Sequence, residues 1–410
     1  MRLSVTCPDG LGDFILRLPW LQAMVASGWE LQIIARAPTL ELARLAGLSA
    51  CYVPIRRNPY GKEARRVRYP FRRELAAVAA FRPDYVFLGP SQPSFFEEQT
   101  VEHLSNLRVG GFRLASGFWP GEGLQDPREL AAHYAFAIEV APDDSERQRN
   151  AKAAHFFLGD GFATENPAFR FSPEFIASLD KPDGIGIVVN AAYREGDYFL
   201  GWGEDNWCRE LDPIAALSPL VFVGTPAEAA SHGRIYARLA RGTGHRDLTG
   251  HLPDLHSLCS VLAAGEAYIG KDCGAMHLAA ALGKPVVAVF GGGHWPRFLP
   301  AGSKAVILTA RVPCRGCDWR CHLPEPVCVR GLPPDCLAEA WRQLSVMGQS
   351  ETKILELAPI VEQACLLRPA GDYPAQRHAE RRARLAGERS SFLRSPWWRW
   401  AAAARSHVRG

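Results

Sequence analysis

The sequence predicts an α/β protein built from two domains, each with a parallel β-sheet covered by helices. Strand-like and helical segments alternate from the first residues, the alternation weakens between 142 and 183, and it then starts again. With 410 residues, the chain is long enough for two domains that each bury their own core. We therefore predict an N-terminal domain at 1–150, a linker at 151–183, a second domain at 184–350, and a C-terminal helix with a basic tail at 351–410.

The individual elements follow from the spacing of apolar residues and from turn residues between them. The N-terminal half has predicted strands at 3–6, 30–35 and 84–88, and predicted helices at 14–25, 40–46 and 72–81. The C-terminal half has predicted strands at 184–190, 220–224, 267–270 and 286–290, and predicted helices at 207–216, 226–240, 255–264 and directly after Asp272. Ligands of such sheets bind at the carboxyl ends of the strands, so the turns that follow strands are the candidate sites.

The segment IGKDCGAMH (269–277) lies at one such strand end. Gly274 allows a ligand to approach the backbone, and the N–H groups of Gly274, Ala275 and Met276 are predicted to hold a phosphate at the start of the helix. His277 would add a side-chain donor to the same anion. The alternative is that Asp272 only caps the helix and that His277 only packs within it.

The segment DGLGD (9–13) follows the first strand. A Gly-x-Gly turn at this place, here Gly10 and Gly12, is typical of a ligand-binding loop, although without a third glycine it is weak evidence for a dinucleotide. Asp13 could act as a general base that faces the cleft between the domains, or it could cap the following helix.

Composition and charge narrow the class of protein. The chain is 47% hydrophobic and 22% charged, with no apolar run of 18 residues and no signal-peptide pattern, so we expect a cytoplasmic protein. The region 377–410 holds nine arginines and two glutamates, a net charge of +7, which leaves about −3 for the rest of a chain whose total is +4. We therefore expect no nucleic acid as the partner of the globular body.

Two motifs in a fixed order carry a family resemblance. GLGDFILRLP (10–19), combined with DLTGHLPDLHSLCSVLAAGEAYIGKDCGAMHLAAALGKPVVAVFG (247–291), resembles glycosyltransferase family 9, the heptosyltransferase family. The resemblance extends over most of residues 1–345. It implies the GT-B fold, in which two Rossmann-like domains face an interdomain cleft.

The resemblance also implies an activity. Such enzymes are inverting glycosyltransferases that move a sugar, usually heptose, from a nucleotide-diphosphate donor such as ADP-heptose to a hydroxyl of a cell-surface glycan or lipopolysaccharide-type acceptor. The donor would bind the C-terminal domain and the acceptor the N-terminal one, and no metal or other cofactor would be required. Two alternatives remain open: a nucleotide-sugar-binding protein without catalysis, and a GT-B-fold nucleotide-sugar epimerase.

Individual roles follow from the matching motif positions. By resemblance, Asp13 would be the catalytic base, and at its ordinary pKa it would be ionised at pH 7. Glu228 would contact the nucleotide ribose, and Leu252 would pack on the base. The donor's diphosphate and sugar would be lined by Asp272, Cys273, Gly274 and His277.

The sequence departs from the family pattern at two places. Cys273 stands where many members have Ser or Thr. The usual Lys before a Trp in the loop after the first C-domain strand is absent, and Arg194 is the only cation in NAAYREGDYFLGWGEDNW (190–207). A guanidinium suits a diphosphate, so Arg194 is the candidate replacement. The missing Lys favours the non-catalytic alternative or a different donor.

Four cysteines close in sequence form a candidate metal site within the Cys-rich segment 314–336. Cys314, Cys317, Cys321 and Cys328 have spacings compatible with one tetrahedral zinc, with Cys336 and His322 as spare ligands. The alternatives are reduced thiols and a disulfide.

The C-terminal tail combines its arginines with Trp397, Trp398 and Trp400. This composition is compatible with a peripheral contact to the inner membrane face, where a lipid-linked acceptor would lie. A disordered, solvated basic tail is an equal alternative, and an RNA-binding tail is a third.

Overall fold

The computed structural model describes residues 1–359 except 62–63, 68–69, 91–93, 115–129, 142, 164, 194–200, 240–243, 313–314 and 316–325. Within these residues it contains two parallel α/β domains, which confirms the predicted fold class. No helix in the described part of the chain is long and apolar enough to cross a lipid bilayer.

The N-terminal domain has a six-stranded parallel sheet in the order β3-β2-β1-β4-β5-β6. Its strands are β1 (Arg2–Cys7), β2 (Glu30–Ala35), β3 (Cys51–Pro54), β4 (Tyr85–Leu88), β5 (Val109–Leu114) and β6 (Phe136–Val140). The helices described beside it are α1 (Leu11–Ala26), α2 (Ala37–Leu45), α3 (Arg72–Phe81), α4 (Phe95–His103) and α5 (Glu146–Leu158), with a short 3-10 turn at Ala64–Arg66.

The C-terminal domain has a seven-stranded parallel sheet in the order β13-β12-β11-β10-β7-β8-β9. Its strands are β7 (Ile187–Asn190), β8 (Leu220–Phe222), β9 (Arg246–Asp247), β10 (Ala267–Lys271), β11 (Val286–Phe290), β12 (Ala305–Ala310) and β13 (Thr352–Leu357). The helices are α6 (Pro173–Ser178), α7 (Glu204–Ala215), α8 (Ala229–Arg238), α9 (Leu255–Ala264), α10 (Gly274–Ala281), α11 (Val327–Arg330) and α12 (Cys336–Val346), with a 3-10 turn at Pro226–Glu228.

Most predicted elements are present, but the junctions between regions differ from the prediction. Helix α5 crosses residue 150, the predicted end of the first domain, because Ser145 and Gln148 form a capping box that starts a helix in this polar segment. Strand β13 pairs with β12 at 352–357, where a C-terminal helix was predicted. The β-branched and apolar residues of TKILEL suit a sheet edge. The tail beyond 359 lies outside the described residues.

Helix α1 connects the two domains because it is buried over most of its length. Phe14, Leu18 and Leu21 are fully buried at i, i+4 and i+7, the spacing of one helix face. The helix packs against α5 of its own domain and against α10 of the other domain. A continuous cluster of buried apolar side chains therefore runs from one sheet to the other and includes Phe14 and Leu278.

Candidate functional site

The first turns of α1 and α10 meet at the interface between the domains. A Cβ added to Gly12 would lie 2.5 Å from Cδ2 and 3.0 Å from Nε2 of His277, and a Cβ added to Gly274 would lie 3.0 Å from Cβ of Leu11. The structure therefore brings the DGLGD and KDCGAMH segments into direct contact. Because two helix N-termini converge here, their partial positive charges are directed at the same space.

Asp13 lies in the first turn of α1 rather than in the preceding loop. Its side chain is half-buried, and a Cβ on Gly10 would lie 3.3 Å from its Oδ2, so this glycine leaves room beside the carboxylate. Burial, together with the negative charges of Asp9 and Glu146, raises the pKa of Asp13 to about 8. This differs from the ordinary pKa expected from the sequence. A base with a pKa near the working pH is well matched to proton transfer.

A buried cluster of charges surrounds Asp13. Arg17 Nη2 lies 3.6 Å from Asp9 Oδ2 and 3.6 Å from Glu146 Oε1, and it donates to the carbonyl of Gly89 at 3.0 Å. Arg297, from the loop after β11, donates to Glu146 Oε2 through Nε at 2.8 Å and Nη2 at 2.7 Å. Burial opposes the charge of Glu146, but its arginine neighbours outweigh burial and lower its pKa. The predictions from sequence did not include Glu146 or Arg297, which lie 151 positions apart.

Strand β10 ends at the buried Lys271, and the partly buried Asp272 follows it. Burial raises the pKa of Asp272 to about 6, although the nearby His294 and Lys271 act in the opposite direction. Asp272 is not the helix cap, because Cys273 occupies that position without a side-chain capping bond. The N–H of Met276 donates to the carbonyl of Cys273 at 3.1 Å, so this predicted phosphate donor is already used inside the turn.

Lys271 is a cation that the sequence predictions did not assign to the site. Its Nζ donates to Glu228 Oε1 at 2.5 Å and to the carbonyl of Ala192, and it lies 4.4 Å from the ring centre of Tyr193. The second carboxylate oxygen of Glu228 accepts from Thr225 N and Oγ1, at 2.8 and 2.9 Å. Glu228 thus holds the strand ends of the C-terminal sheet together, and its contact with a ribose stays a prediction.

His277 is buried with 3% exposure. Burial lowers its pKa to about 4, so the ring is neutral at pH 7 and carries one N–H. Its Nδ1 has no hydrogen-bond partner among the described residues. A buried imidazole nitrogen without a partner is costly, which favours a ligand or water contact at this ring.

Some of the remaining predicted site residues belong to the part of the chain that the structure describes, and others do not. Cys273 is partly buried, and its Sγ lies 3.2 Å from the hydroxyl of Tyr268. Leu252 is half-buried and packs at the edge of the main apolar cluster. Arg194 lies outside the described residues, as do three of the four predicted zinc ligands, Cys314, Cys317 and Cys321. Cys328 is buried, and no group of three potential metal ligands occurs among the residues that the structure describes.

His232 is a further polar residue of this region that the sequence did not reveal. Its Nε2 accepts from the N–H groups of Ala191 and Ala192, at 2.9 and 3.0 Å, and its Nδ1 lies 2.7 Å from Thr249 Oγ1. Burial lowers its pKa to about 4. An acceptor Nε2 requires the proton on Nδ1, so His232 is neutral and fixes the backbone that follows β7.

The comparisons agree with this architecture. Residues 202–323 match the family model described as glycosyltransferase family 9 (heptosyltransferase). The fold is similar to that of the E. coli ADP-heptose lps heptosyltransferase II, with a TM-score of 0.60, 16% identity, and coverage of 84% of this chain and 98% of that one. No curated protein matches the chain.

Two further solved structures show the same fold. A glycosyltransferase family 9 protein from Veillonella parvula has a TM-score of 0.62 at 16% identity, with coverage of 84% of this chain and 96% of that one. The E. coli heptosyltransferase WaaC with ADP-2-deoxy-2-fluoro heptose has a TM-score of 0.53 at 20% identity, with coverage of 78% and 95%. The resemblance of this chain to glycosyltransferase family 9, the heptosyltransferase family, is confirmed.

Proposed function

We propose that this protein is an inverting glycosyltransferase that moves a heptose from a nucleotide-diphosphate donor such as ADP-heptose to a hydroxyl of an anionic cell-surface glycan. The acceptor oxygen attacks the anomeric carbon, the bond to the diphosphate breaks, and the hydroxyl proton passes to Asp13. The observation that carries the proposal is the position of Asp13, in the first turn of α1 and opposite the first turn of α10.

The donor side of the proposal rests on the N-terminus of α10. Unused N–H groups at a helix start and the neutral imidazole of His277 are suitable donors for a diphosphate, and the helix dipole favours the charge that builds up on the leaving group. The solved heptosyltransferase structure named with an ADP-heptose analogue motivates the choice of donor. Since fixed donors of this kind stabilise the leaving group, we infer that no divalent metal is required.

The acceptor side rests on the segment that follows β3. Arg56, Arg57 and Arg66 are exposed there, and Tyr60 from the same segment donates to Asp9 Oδ1 at 2.7 Å. Exposed cations in a segment that contacts Asp9 suit an acceptor that carries phosphate or carboxylate groups. This chemistry supports a lipopolysaccharide-type acceptor and, with it, a peripheral location at the inner membrane face.

The first experiment is calorimetry with a panel of ADP-, UDP- and GDP-sugars, combined with transfer assays in the presence of EDTA. We expect one donor to bind the wild-type protein and the Asp13→Asn variant equally, and to bind His277→Ala about tenfold more weakly, which is the scale of one lost hydrogen bond to a charged group. Transfer should fall about 10²–10⁴-fold in Asp13→Asn. Asp160→Asn, on an exposed residue, is the matched control.

Each alternative has its own result in this experiment. If the donor binds but no sugar is transferred to any anionic glycan, and Asp13→Asn changes neither result, the protein is a nucleotide-sugar-binding protein without catalysis. Conversion of the nucleotide sugar in the absence of an acceptor would support an epimerase. If no nucleotide sugar binds the wild-type protein, the proposal is wrong. Loss of transfer with EDTA would contradict metal independence alone.

A further inference from the structure

The loop after β11 places a residue of the C-terminal domain inside the charge cluster of the N-terminal domain. The carbonyl of Arg297 accepts from the N–H of Glu146 at 2.9 Å, and its guanidinium makes two hydrogen bonds to the carboxylate of the same residue. Glu146 begins α5, which packs on α1, the helix that carries Asp13. A link of three hydrogen bonds therefore connects the two domains at the start of α5, the helix that packs on α1.

The pair Arg297–Glu146 is strongly desolvated. The side chain of Glu146 is fully buried and that of Arg297 is 15% exposed. Charges screened so little by water act over longer distances than surface charges do. Glu146 Oε1 lies 3.6 Å from Arg17 Nη2 and has no hydrogen-bond partner among the described residues, so Arg17 on α1 stabilises this oxygen by charge alone.

We propose that Arg297 is a positioning residue whose positive charge keeps the base Asp13 in the ionised form that can accept a proton. The negative charge of Glu146, in the same contact, has the opposite effect on Asp13. Through Arg297, the C-terminal domain adds a positive charge to the cluster that contains Asp13, and this charge favours the ionised, proton-accepting form of the base. The inference rests on the proposed role of Asp13 as the base.

The electrostatic contributions are consistent with this geometry. The Arg297 guanidinium opposes the burial that raises the pKa of Asp13, whereas the Glu146 carboxylate adds to it. The Asp9 carboxylate also raises the pKa of Asp13. The other charged or titratable groups around the site are Arg36, which donates to the carbonyl of Asp9, and Tyr60, which donates to the Asp9 carboxylate. Arg17, Arg149 beside Glu146 and the neutral His277 complete the set. Only Arg297 belongs to the C-terminal domain and carries a positive charge in this set.

The test compares Arg297→Gln and Glu146→Gln, which have opposite expected signs. The acidic limb of the pH profile of kcat/KM should have its midpoint near pH 8 in the wild-type protein. It should shift up by about one pH unit in Arg297→Gln and down by about one unit in Glu146→Gln, the scale of one nearby charge. Arg297→Lys keeps the charge and should restore the wild-type midpoint. Arg311→Gln, on an exposed arginine, is the matched control.

A second readout does not require transferase activity. The difference in melting temperature between each protein and its Asp13→Asn counterpart, followed against pH, reports the pKa of Asp13 by linkage. If Arg297→Gln and Glu146→Gln shift this pKa in the same direction, or leave it unchanged, Arg297 is only a structural contact and the inference is wrong. If the pKa shifts oppositely but no transfer occurs in the wild type, the charge coupling stands and the proposed function fails.

Discussion

The contact between Gly12 and His277 lies where the two domains meet, so we expect a larger side chain at position 12 to destabilise the protein. An alanine at position 12 would place its Cβ 2.5 Å from Cδ2 of a ring that is 3% exposed. Ordinary contact begins near 3.4 Å, so the ring or the helix must move by about 0.9 Å. Overpacking of this kind costs about 1–3 kcal/mol, and the helix propensity of alanine offsets up to about 1 kcal/mol of it.

The matched control is Gly233 in α8, where an added Cβ meets nothing within 4 Å. Gly233→Ala should stabilise the protein by about 0.5–1 kcal/mol through helix propensity alone. Gly12→Ala should destabilise it by about 1–2 kcal/mol. The forced movement of the His277 ring or of helix α1 should also weaken donor binding. Urea unfolding and calorimetry measure the two effects.

A double-mutant cycle separates steric conflict from other causes. His277→Ala removes the ring that the new methyl group would meet, so Gly12→Ala should cost less in that background, with a coupling of at least about 1 kcal/mol. If Gly12→Ala is as stabilising as Gly233→Ala, and the cycle shows no coupling, the two helix starts are not in contact as described.

Three further predictions concern buried charges. The folded-state pKa of Asp13, about 8, exceeds its ordinary value of 3.8, so the free energy of unfolding should fall as pH rises from about 4 to 8, and Asp13→Asn should flatten this slope in melting experiments. His232 is the opposite case, with a folded pKa of about 4 against 6.5; stability should fall as pH drops from about 6.5 to 4, and less so in His232→Gln. Lys271→Met should cost about 3–5 kcal/mol in urea unfolding by leaving Glu228 buried and unpaired, and adding Glu228→Gln should recover part of this loss.

The fold was predictable where strands are short apolar runs and helices have a clear apolar face. Strand β11 is the best example, since all five of its residues are buried. Strand β5 was missed because two of its residues, Gly110 and Gly111, read as turn signals. In the structure, a Cβ on Gly110 would lie 2.1 Å from the carbonyl oxygen of Phe136, so glycine is required by close strand packing.

The site was predictable only where its residues belong to one local motif. Asp13 and His277 each lie in a glycine-containing turn between a strand and a helix, and the family resemblance implied that both face the interdomain cleft. The pairs Arg297–Glu146 and Lys271–Glu228 join residues 151 and 43 positions apart, and no local spacing indicates such partners. The raised pKa of Asp13 was missed for the same reason, because it arises from burial between elements that are distant in sequence.

The charges of the cluster explain why a base is effective at this place. Three carboxylates, those of Asp9, Asp13 and Glu146, lie near the guanidinium groups of Arg17, Arg297 and Arg149. Burial and the charges of neighbouring carboxylates nonetheless raise the pKa of both Asp9 and Asp13, so the cluster favours the uptake of a proton by one of them. In the proposed reaction, the acceptor hydroxyl supplies that proton at the moment when negative charge builds up on the departing diphosphate. Proton uptake by Asp13 therefore removes a negative charge from the site as another one forms at the start of α10, which lowers the electrostatic cost of the transfer step.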